Sequence, residues 1–314
     1  MSSFKVFNFR NFDPAARHAV VTIGNFDGVH LGHQALIRRV VEEARVLHAA
    51  GILLTFDPHP QTVLRQHPVA LLSSLPMRLR LFDQLGLDAA CIINFTPEFA
   101  RMSAQAFVDE YLFARFQVRK LIIGYDFAFG HNRAGTAEVL LQLSRTHDFM
   151  FEVFPALKVG QDTVGSSVIR ALLGGGDFAA AARLLGRAYS VLEPVAAGEQ
   201  RGRTLGVPTI NQAPQAPLPI AGGVYAVHAI VGEQMLGGVS NYGVRPTVGG
   251  QTALLETHLF DFSGDLYGQT VEVIPRVHLR PERKFPSLEA LKAQIVLDQE
   301  QARHALTQWG PPGT

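Results

Sequence analysis

The sequence predicts an α/β half built on a doubly wound parallel sheet, followed by a half made mainly of β-strands and closed by one helix. In the first half, short apolar segments alternate with amphipathic stretches of helical length, as in βαβ units. After Gly186, strand-like segments follow one another without helices between them. The length of 314 residues also favours two domains over one.

The strands of the first half are predicted from segments that are short and rich in Val, Ile, Leu or Phe, as suits strands covered on both faces. They span residues 19–24, 51–56, 89–95, 121–125 and 149–154. The amphipathic stretches 33–50, 103–116 and 136–147 predict the helices between them, and a helical pair at 166–173 and 178–185 ends this half. Ligands of such sheets bind beyond the carboxyl ends of the strands.

The second half predicts antiparallel strands at residues 189–197, 224–231, 235–241, 254–262 and 270–278. Gly, Pro and Asn separate them, which is typical of a barrel or a sandwich. One long amphipathic stretch, 287–306, predicts a final helix. We place the boundary near residues 185–188, which gives domains of 1–186 and 187–314.

Composition limits the classes of function. Lys and Arg number 28 against 27 Asp and Glu, a net charge of +1 that argues against a nucleic-acid or membrane-surface partner. The single cysteine, Cys91, excludes an intrachain disulfide and a cysteine zinc site, and is expected to be buried in a strand. Because no run resembles a signal peptide or reaches the roughly 20 apolar residues of a membrane helix, we expect a cytoplasmic protein.

The first candidate site follows the strand at 19–24 and precedes a helix. A turn of this kind presents free backbone N–H groups and the positive end of a helix dipole, which favour phosphate. His30 and His33 place two imidazoles there, whose N–H groups can stabilise charge on a phosphoryl group under attack. The residues predicted to bind phosphate are Gly24, Asn25, Phe26, Asp27 and Gly28.

Three other interpretations exist for this segment. The histidines could be a metal pair, although their spacing supplies no third ligand, or they could be ordinary core or surface residues. The glycines could form a plain loop. The combination of glycines and histidines in one strand–loop–helix favours the phosphate site over each of these.

The second candidate site begins in the glycine-containing segment 198–211, which has no Walker lysine and by motif alone is only a weak phosphate loop. Glu256 lies in an apolar strand pattern that places Leu255, Thr257 and Leu259 on one face and Glu256 with its alternate neighbours on the other. A carboxylate in this setting either faces solvent on an edge strand or performs chemistry.

These motifs resemble those of the prokaryotic bifunctional riboflavin kinase/FMN adenylyltransferases, members of the nucleotidylyltransferase superfamily in their first half. The segments that carry the resemblance are 24–33, Thr55-Phe56-Asp57-Pro58-His59-Pro60 and Gly124-Tyr125-Asp126-Phe127-Ala128-Phe129-Gly130. The resemblance implies that His30 and His33 act on the ATP phosphates, and that Asp57 and Asp126 contribute to the substrate pocket.

A further element resembles the family's pyrophosphate clamp, here Gly165-Ser166-Ser167-Val168-Ile169-Arg170. Ser166, Ser167 and Arg170 retain the hydroxyls and the guanidinium that suit phosphate oxygens. Gly165 stands where the family has serine, and Val168 where a basic residue is frequent. A simple helix N-cap by Ser166 or Ser167 is compatible with this role.

The second half resembles the riboflavin kinase signature through Gly202, Arg203, Gly206 and the residues up to Asn211. The resemblance implies that the two glycines and Arg203 contact ATP, and that Thr209 and Asn211 hold Mg²⁺, whose preference for oxygen ligands these side chains meet. It makes Glu256 the general base for the riboflavin 5′-hydroxyl. Arg280 is expected to contact flavin or nucleotide.

Together, the resemblance implies a Rossmann-like nucleotidylyltransferase domain followed by a six-stranded antiparallel barrel with a C-terminal helix. Riboflavin would be phosphorylated to FMN in the second half and FMN adenylylated to FAD in the first, with ATP and Mg²⁺ in both. Three alternatives remain: a kinase with weakened or lost adenylyltransferase activity, an adenylyltransferase for another small substrate, and a non-catalytic flavin-binding regulator.

Overall fold

The computed structural model describes residues 4–8, 11, 17–65, 68–131, 134–196, 207–247 and 250–309. The chain packs as two compact units. The N-terminal unit comprises Met1–Val69 and Arg78–Val164, and the C-terminal unit comprises Ala70–Met77 and Gly165–Thr314. In the described residues, no helix is both long and apolar enough to cross a membrane.

The N-terminal unit is built on a six-stranded sheet whose paired strands are all parallel. Its order is β1-β4-β3-β2-β5-β6, and its strands are β1 Lys5–Asn8, β2 Val20–Ile23, β3 Gly51–Asp57, β4 Ala89–Asn94, β5 Lys120–Gly124 and β6 Met150–Phe154. The five strands predicted from apolar segments are confirmed. Strand β1 was not predicted, because three of its four residues are exposed at the sheet edge and it carries no apolar run.

Helices cover this sheet on both faces. They are α1 Leu31–Val46, α2 Pro60–Arg65, α3 Leu75–Gln84 (whose first residues belong to the C-terminal unit), α4 Pro97–Ala100, α5 Ala104–Ala106 and α6 Ala137–Thr146, with a π-helix at Phe107–Phe116. A short hairpin follows, β7 Lys158–Val159 and β8 Asp162–Thr163. Successive strand residues enter two different cores, which explains the continuous apolar runs. Cys91 is fully buried as expected, and burial raises the pKa of its thiol to about 12.

A closed set of ion pairs fixes α1 on the sheet. Lys120 at the start of β5 lies 3.0 Å from a Glu43 oxygen and 2.5 Å from a Glu152 oxygen. Arg39 also pairs with both carboxylates, at 2.5 Å to Glu43 and 2.9 Å to Glu152. Each carboxylate therefore pairs with two cations, and these ion pairs hold α1 against β5 and β6.

The C-terminal unit is a six-stranded antiparallel sheet of order β10-β13-β12-β11-β14-β9. Its elements are α7 Ser166–Gly174, α8 Phe178–Leu185, β9 Val191–Pro194, β10 Ile210–Gln212, β11 Gly223–Val231, β12 Gln234–Thr247, β13 Gly250–Leu259, β14 Thr270–Arg280 and α9 Leu288–Leu306. An antiparallel bridge between Ala196 and Asn211 links the two edges. The sheet is therefore a nearly closed barrel and not a sandwich, the two architectures that the strand pattern had left open.

Helix α9 lies on the outer face of the barrel. Its Ala302 and Leu306 pack against Val224, Val239 and Phe260. Residues that alternate with these fill the inside of the barrel, among them Tyr225, Val227, Leu255, Thr257 and Leu259. The predicted alternation along residues 254–259 is confirmed.

Candidate active sites

The three motif loops of the N-terminal unit lie at one edge of its sheet. They follow β2, β3 and β5, which are neighbours in the order β3-β2-β5. Because the strands are parallel, their carboxyl ends meet at the same edge. From β2 the chain winds outward through β3 to β4 and then crosses back to form β5 on the other side of β2. The reversal makes this edge the switch point at which such sheets bind ligands.

The loop from Gly24 to His30 has an unusual backbone. Phe26, Gly28 and Val29 have φ angles of 49°, 83° and 43°, in the left-handed region that side chains other than glycine rarely occupy. The N–H of Gly24 donates to the carbonyl of Leu54 at 3.1 Å, which ties the loop to β3. Phe26 and Asp27 are almost fully buried. The loop is thus held in one defined conformation.

His30 and His33 are brought together at the start of α1. His30 is the N-cap, and its Nδ1 accepts a hydrogen bond from the backbone N–H of His33 at 3.3 Å. The two rings stack with centroids 3.6 Å apart and planes 15° apart. Because Nδ1 of His30 is an acceptor, the neutral ring carries its proton on Nε2.

The second imidazole is also neutral. Burial, reinforced by the neighbouring His30, lowers the pKa of His33 well below its usual range. Its buried Nδ1 has no hydrogen-bond partner in the part of the chain that the structure describes. Two neutral imidazoles at a helix N-terminus can donate N–H groups to phosphoryl oxygens. Within the described ranges, no group of three or more His, Cys, Asp or Glu residues could hold a metal, so the histidines have no third ligand of these types there.

The other predicted residues of this unit lie in the neighbouring loops. Asp57 ends β3 and is half-buried, with one carboxylate oxygen 3.8 Å from Nη2 of Arg78. Asp126 is exposed in the loop after β5. Arg78 was not identified from the sequence, although its buried guanidinium contacts both the loop after β2 and the end of β3.

The predicted pyrophosphate clamp lies on α7, which packs in the C-terminal unit. Gly165 is the N-cap and α7 begins at Ser166, so the alternative in which Ser166 or Ser167 is the N-cap does not hold. Because glycine has no side chain, no side-chain hydrogen bond caps the start of this helix. Ser167 is exposed, and Nε of Arg170 donates to the carbonyl of Ala70 at 2.8 Å. Phosphate binding by Ser166, Ser167 and Arg170 stays a prediction.

The barrel places Glu256 between two asparagines. Asn211 on β10 is directly opposite Glu256 on β13, and Asn241 on β12 is opposite Glu256 on its other side. Residues directly opposite one another in antiparallel strands point to the same face of the sheet. The carboxylate and the two amides therefore share the outer face, and Glu256 is half-buried.

The segment before β10 is attached to this face. Nδ1 of His258, two residues after Glu256 on β13, lies 2.8 Å from the carbonyl oxygen of Pro208. This bond fixes the residue that immediately precedes the half-buried Thr209. The other predicted residues of the segment, Gly202, Arg203 and Gly206, lie outside the described residues.

The residues present fit Mg²⁺. Thr209, Asn211 and Glu256 offer a hydroxyl, an amide and a carboxylate oxygen, the hard ligands that this cation prefers. Asn211 is 8% exposed, and its side-chain amide makes no hydrogen bond within the described ranges, whereas its backbone carbonyl accepts the N–H of Ala196. Its side-chain amide is therefore uncommitted.

Two further residues near this face were assigned differently or missed. Arg280, predicted to contact flavin, makes a two-bond ion pair with the buried Asp298 of α9, at 2.9 and 2.7 Å. Its contact with flavin stays a prediction. Glu282 was missed: its Oε1 accepts from Nδ2 of Asn241 at 3.1 Å and lies 2.7 Å from where a Cβ on Gly243 would be.

Comparison with known proteins agrees with this two-part architecture. The family model described as FAD synthetase matches residues 13–168, and the model described as riboflavin kinase matches residues 185–306. Relatives described as bifunctional riboflavin kinase/FMN adenylyltransferase include one from Escherichia coli K12, 36% identical over 90% of this chain and 91% of its own length. One from Pseudomonas fluorescens is 38% identical, over 93% and 94%.

The chain belongs to the bifunctional riboflavin kinase/FMN adenylyltransferase family. It is therefore a transferase of flavin biosynthesis that uses ATP and flavins as substrates. The alternatives of a kinase without adenylylation, a different adenylyltransferase and a non-catalytic regulator are not supported. A crystal structure described as a macrolide-efflux protein from Streptococcus pneumoniae is also similar, with a TM-score of 0.75, 28% identity and coverage of 96% of this chain and 98% of that one.

Proposed function

We propose that the barrel face around Glu256 phosphorylates riboflavin, and that the sheet edge around His30 and His33 adenylylates the resulting FMN. The observation that carries the first assignment is the placement of Glu256 directly between Asn211 and Asn241 on one face. The stacked, neutral histidine pair at the start of α1 carries the second.

In the kinase step, Glu256 accepts the proton of the riboflavin 5′-hydroxyl as that oxygen attacks the γ-phosphorus of ATP. The new O–P bond forms as the bond to the ADP oxygen breaks, and ADP leaves. Thr209 and Asn211 would hold Mg²⁺, which neutralises phosphate charge when bound. A general base of this kind typically contributes roughly 10²–10⁴-fold to the rate. The remaining acceleration comes mainly from positioning.

In the adenylylation step, a phosphate oxygen of FMN attacks the α-phosphorus of ATP. The bond to the bridging oxygen breaks and pyrophosphate leaves. Nε2–H of His30 and an N–H of His33 donate to the oxygens on which charge develops, and no covalent intermediate is needed. The loop from Gly24 to Gly28 would bind the phosphates. Asp57 and Asp126 would line the flavin side, and Ser166, Ser167 and Arg170 would hold the leaving pyrophosphate.

Domain bounds, location and partners accompany this function. We propose domains of 1–186 for adenylylation and 187–314 for the kinase, supported by family matches that end at 168 and begin at 185. We also propose a cytoplasmic location, where ATP is available to both activities, and no nucleic-acid or membrane partner.

The test is chromatography of products from purified protein with Mg²⁺ and ATP, given either riboflavin or FMN. We expect Glu256→Gln to abolish FMN formation while supplied FMN is still converted to FAD. His33→Asn should do the reverse. Equal loss of both activities in either variant would contradict the assignment of two separate sites. Val296→Ala, at an exposed position on α9, is the control and should leave both activities intact.

A further inference from the structure

Arg78 is a buried cation that none of the assigned steps uses. Its side chain is 4% exposed, on α3. Nη1 donates to the carbonyl of Asn25 at 3.0 Å, to Oγ1 of Thr55 at 3.0 Å and to the carbonyl of Phe56 at 3.4 Å. Nη2 reaches the same Phe56 carbonyl at 3.5 Å. One guanidinium thus bonds the loop after β2 and the end of β3.

Thr55 completes a triangle with these groups. Its hydroxyl accepts from Arg78 and donates to the carbonyl of Asn25 at 3.1 Å. The Asn25 carbonyl therefore receives two donors, and its orientation is fixed. Because a trans peptide is planar, the N–H of Phe26 points away from Arg78. These two bonds therefore set the direction in which the N–H of Phe26, a donor of the proposed phosphate loop, points.

This anchor holds a loop that is costly to form. Phe26 and Val29 both have positive φ angles, a conformation that is costly for residues other than glycine. Backbone of this kind persists only where its surroundings fix it. The bonds to Asn25 and the bond from Gly24 to Leu54 contribute to this, together with the bond from the N–H of Val29 to the carbonyl of Phe26 and the bond from Nε2 of Gln34 to the carbonyl of Val29.

The charge of Arg78 interacts with two carboxylates of the same site, and Nη2 lies 3.8 Å from an oxygen of Asp57. Asp27 and Asp57 both raise the pKa of its guanidinium, although burial lowers that pKa overall. An arginine remains protonated under these conditions. Its single positive charge offsets part of the negative charge beside a site that must accept the anions ATP and FMN. Without it, the two carboxylates would repel the substrates more strongly.

We propose that Arg78 is a positioning residue of the adenylylation site, which joins the Gly24–Gly28 loop to the end of β3 and partly offsets the negative charge of Asp27 and Asp57. The proposal rests on the proposed function of this site. Arg78 acts on the substrates through these loops and does not contact the reacting atoms. Its guanidinium geometry serves the first task and its charge the second.

The experiment uses the full-length enzyme and three substitutions: Thr55→Val, Arg78→Lys and Arg78→Gln. Thr55→Val removes only the hydroxyl, Arg78→Lys keeps the charge without the planar fork, and Arg78→Gln removes both. Arg101→Gln is the matched control, because Arg101 is exposed and pairs with Glu98 one turn away. The kinetic constants kcat and KM for ATP and FMN are measured, with riboflavin kinase activity and thermal unfolding of the same preparations.

We expect Arg78→Gln to lower kcat/KM for FAD synthesis about 100-fold, the scale of effect that a displacement of roughly 1 Å in a site produces. Arg78→Lys should recover about tenfold of this loss, with KM for both anions restored more than kcat. Thr55→Val should lower kcat/KM by about tenfold at an unchanged unfolding temperature. Riboflavin kinase activity should remain within about twofold throughout, which corresponds to about 0.4 kcal/mol.

Two results would overturn the proposal. In the first, the variants unfold at lower temperature while the folded fraction keeps wild-type kcat and KM, which is the behaviour of a purely structural residue. In the second, Arg78→Lys is no better than Arg78→Gln and Thr55→Val behaves as wild type. If neither Arg78 variant folds, Thr55→Val decides alone.

A failure of the proposed function is distinguishable from a failure of this inference. If the wild-type enzyme itself makes no FAD from FMN, the assignment of the site fails. The equilibrium binding of ATP to wild type and Thr55→Val is then compared by calorimetry. Weaker binding by Thr55→Val supports the positioning role, and equal binding rejects it.

Discussion

Asn211 and Glu256 lie directly opposite each other on the neighbouring strands β10 and β13. The short strand β10 thereby places an amide oxygen beside the proposed base, on the face that also carries Asn241. The barrel closes at the same residue, because the carbonyl of Asn211 accepts the N–H of Ala196 at 2.8 Å. Barrel closure and the kinase site therefore depend on one position.

We predict that Asn211→Leu lowers riboflavin phosphorylation by at least about tenfold and raises the Mg²⁺ concentration needed for half-maximal rate. Leucine has a similar size but no oxygen for a hard cation. The backbone bond to Ala196 is unaffected by the side chain, so folding should persist. Rates are measured by FMN formation across a Mg²⁺ series, and Asn211→Asp, which keeps an oxygen ligand, serves as the control. An unchanged Mg²⁺ requirement in Asn211→Leu would contradict the assignment.

The depressed pKa of His33 predicts how stability depends on pH. The unfolded chain takes up the proton near pH 6.5, whereas the folded state resists it to a much lower pH. Stability is therefore retained above about pH 6.5 and is lost as the pH falls below it, by at most about 1.4 kcal/mol per pH unit from this group. Denaturant unfolding of wild type and His33→Asn between pH 5 and 8 should show a shallower acid loss in the variant. Parallel curves would refute this explanation.

Breaking the ion pair between Arg280 and Asp298 should lower the stability of the protein strongly. Its side chains are 17% and 5% exposed, and Nε2 of Gln294 also donates to the carboxylate. Because Asp298→Asn leaves a cation near the barrel surface without its partner, we expect a loss of about 2–4 kcal/mol in unfolding free energy. Asp261→Asn, which breaks the exposed pair with Arg303, is the matched control and should change stability little. Equal effects of the two changes would show that burial does not set the difference.

Glu193, in the barrel, should make stability depend on pH in the opposite direction. Burial inside the sheet raises the pKa of its carboxyl to about 7. The folded state then holds a proton that the unfolded chain has lost, so stability falls as the pH rises from about 4.5 to 7 and stays reduced above it. Glu193→Gln should therefore stabilise the protein by about 3 kcal/mol at pH 8 and have little effect at pH 4.5. A gain that is the same at both values would exclude titration of Glu193 as the cause.

The parts of the fold that were predicted are those encoded by local patterns. Strands β2, β3 and β5 are buried on both faces, so each reads as a continuous apolar run. Strand β10 has only three residues and is defined by its pairing with β13, a relation that no local pattern expresses. The same holds for β1, which depends on its pairing with β4.

The candidate sites divide in the same way. His30 and His33 were predicted because the loop and the start of α1 are adjacent in sequence. Arg78 was missed because its acceptors are backbone groups 22 and 53 residues away, and because an arginine in an amphipathic helix is normally a surface residue. Glu282 was missed because only the fold brings it near Asn241, 41 residues earlier in the chain.

The cap at the start of α1 has a consequence for the protonation state of the enzyme. The backbone N–H of His33 can bond to Nδ1 of His30 only when that nitrogen carries no proton. Formation of one helical turn therefore selects a tautomer, and the donor Nε2–H is in place before any nucleotide arrives. The tautomer of His30 and the first turn of α1 are therefore thermodynamically coupled. A change that frays this turn also changes which ring nitrogen of His30 carries the proton on which phosphoryl recognition depends.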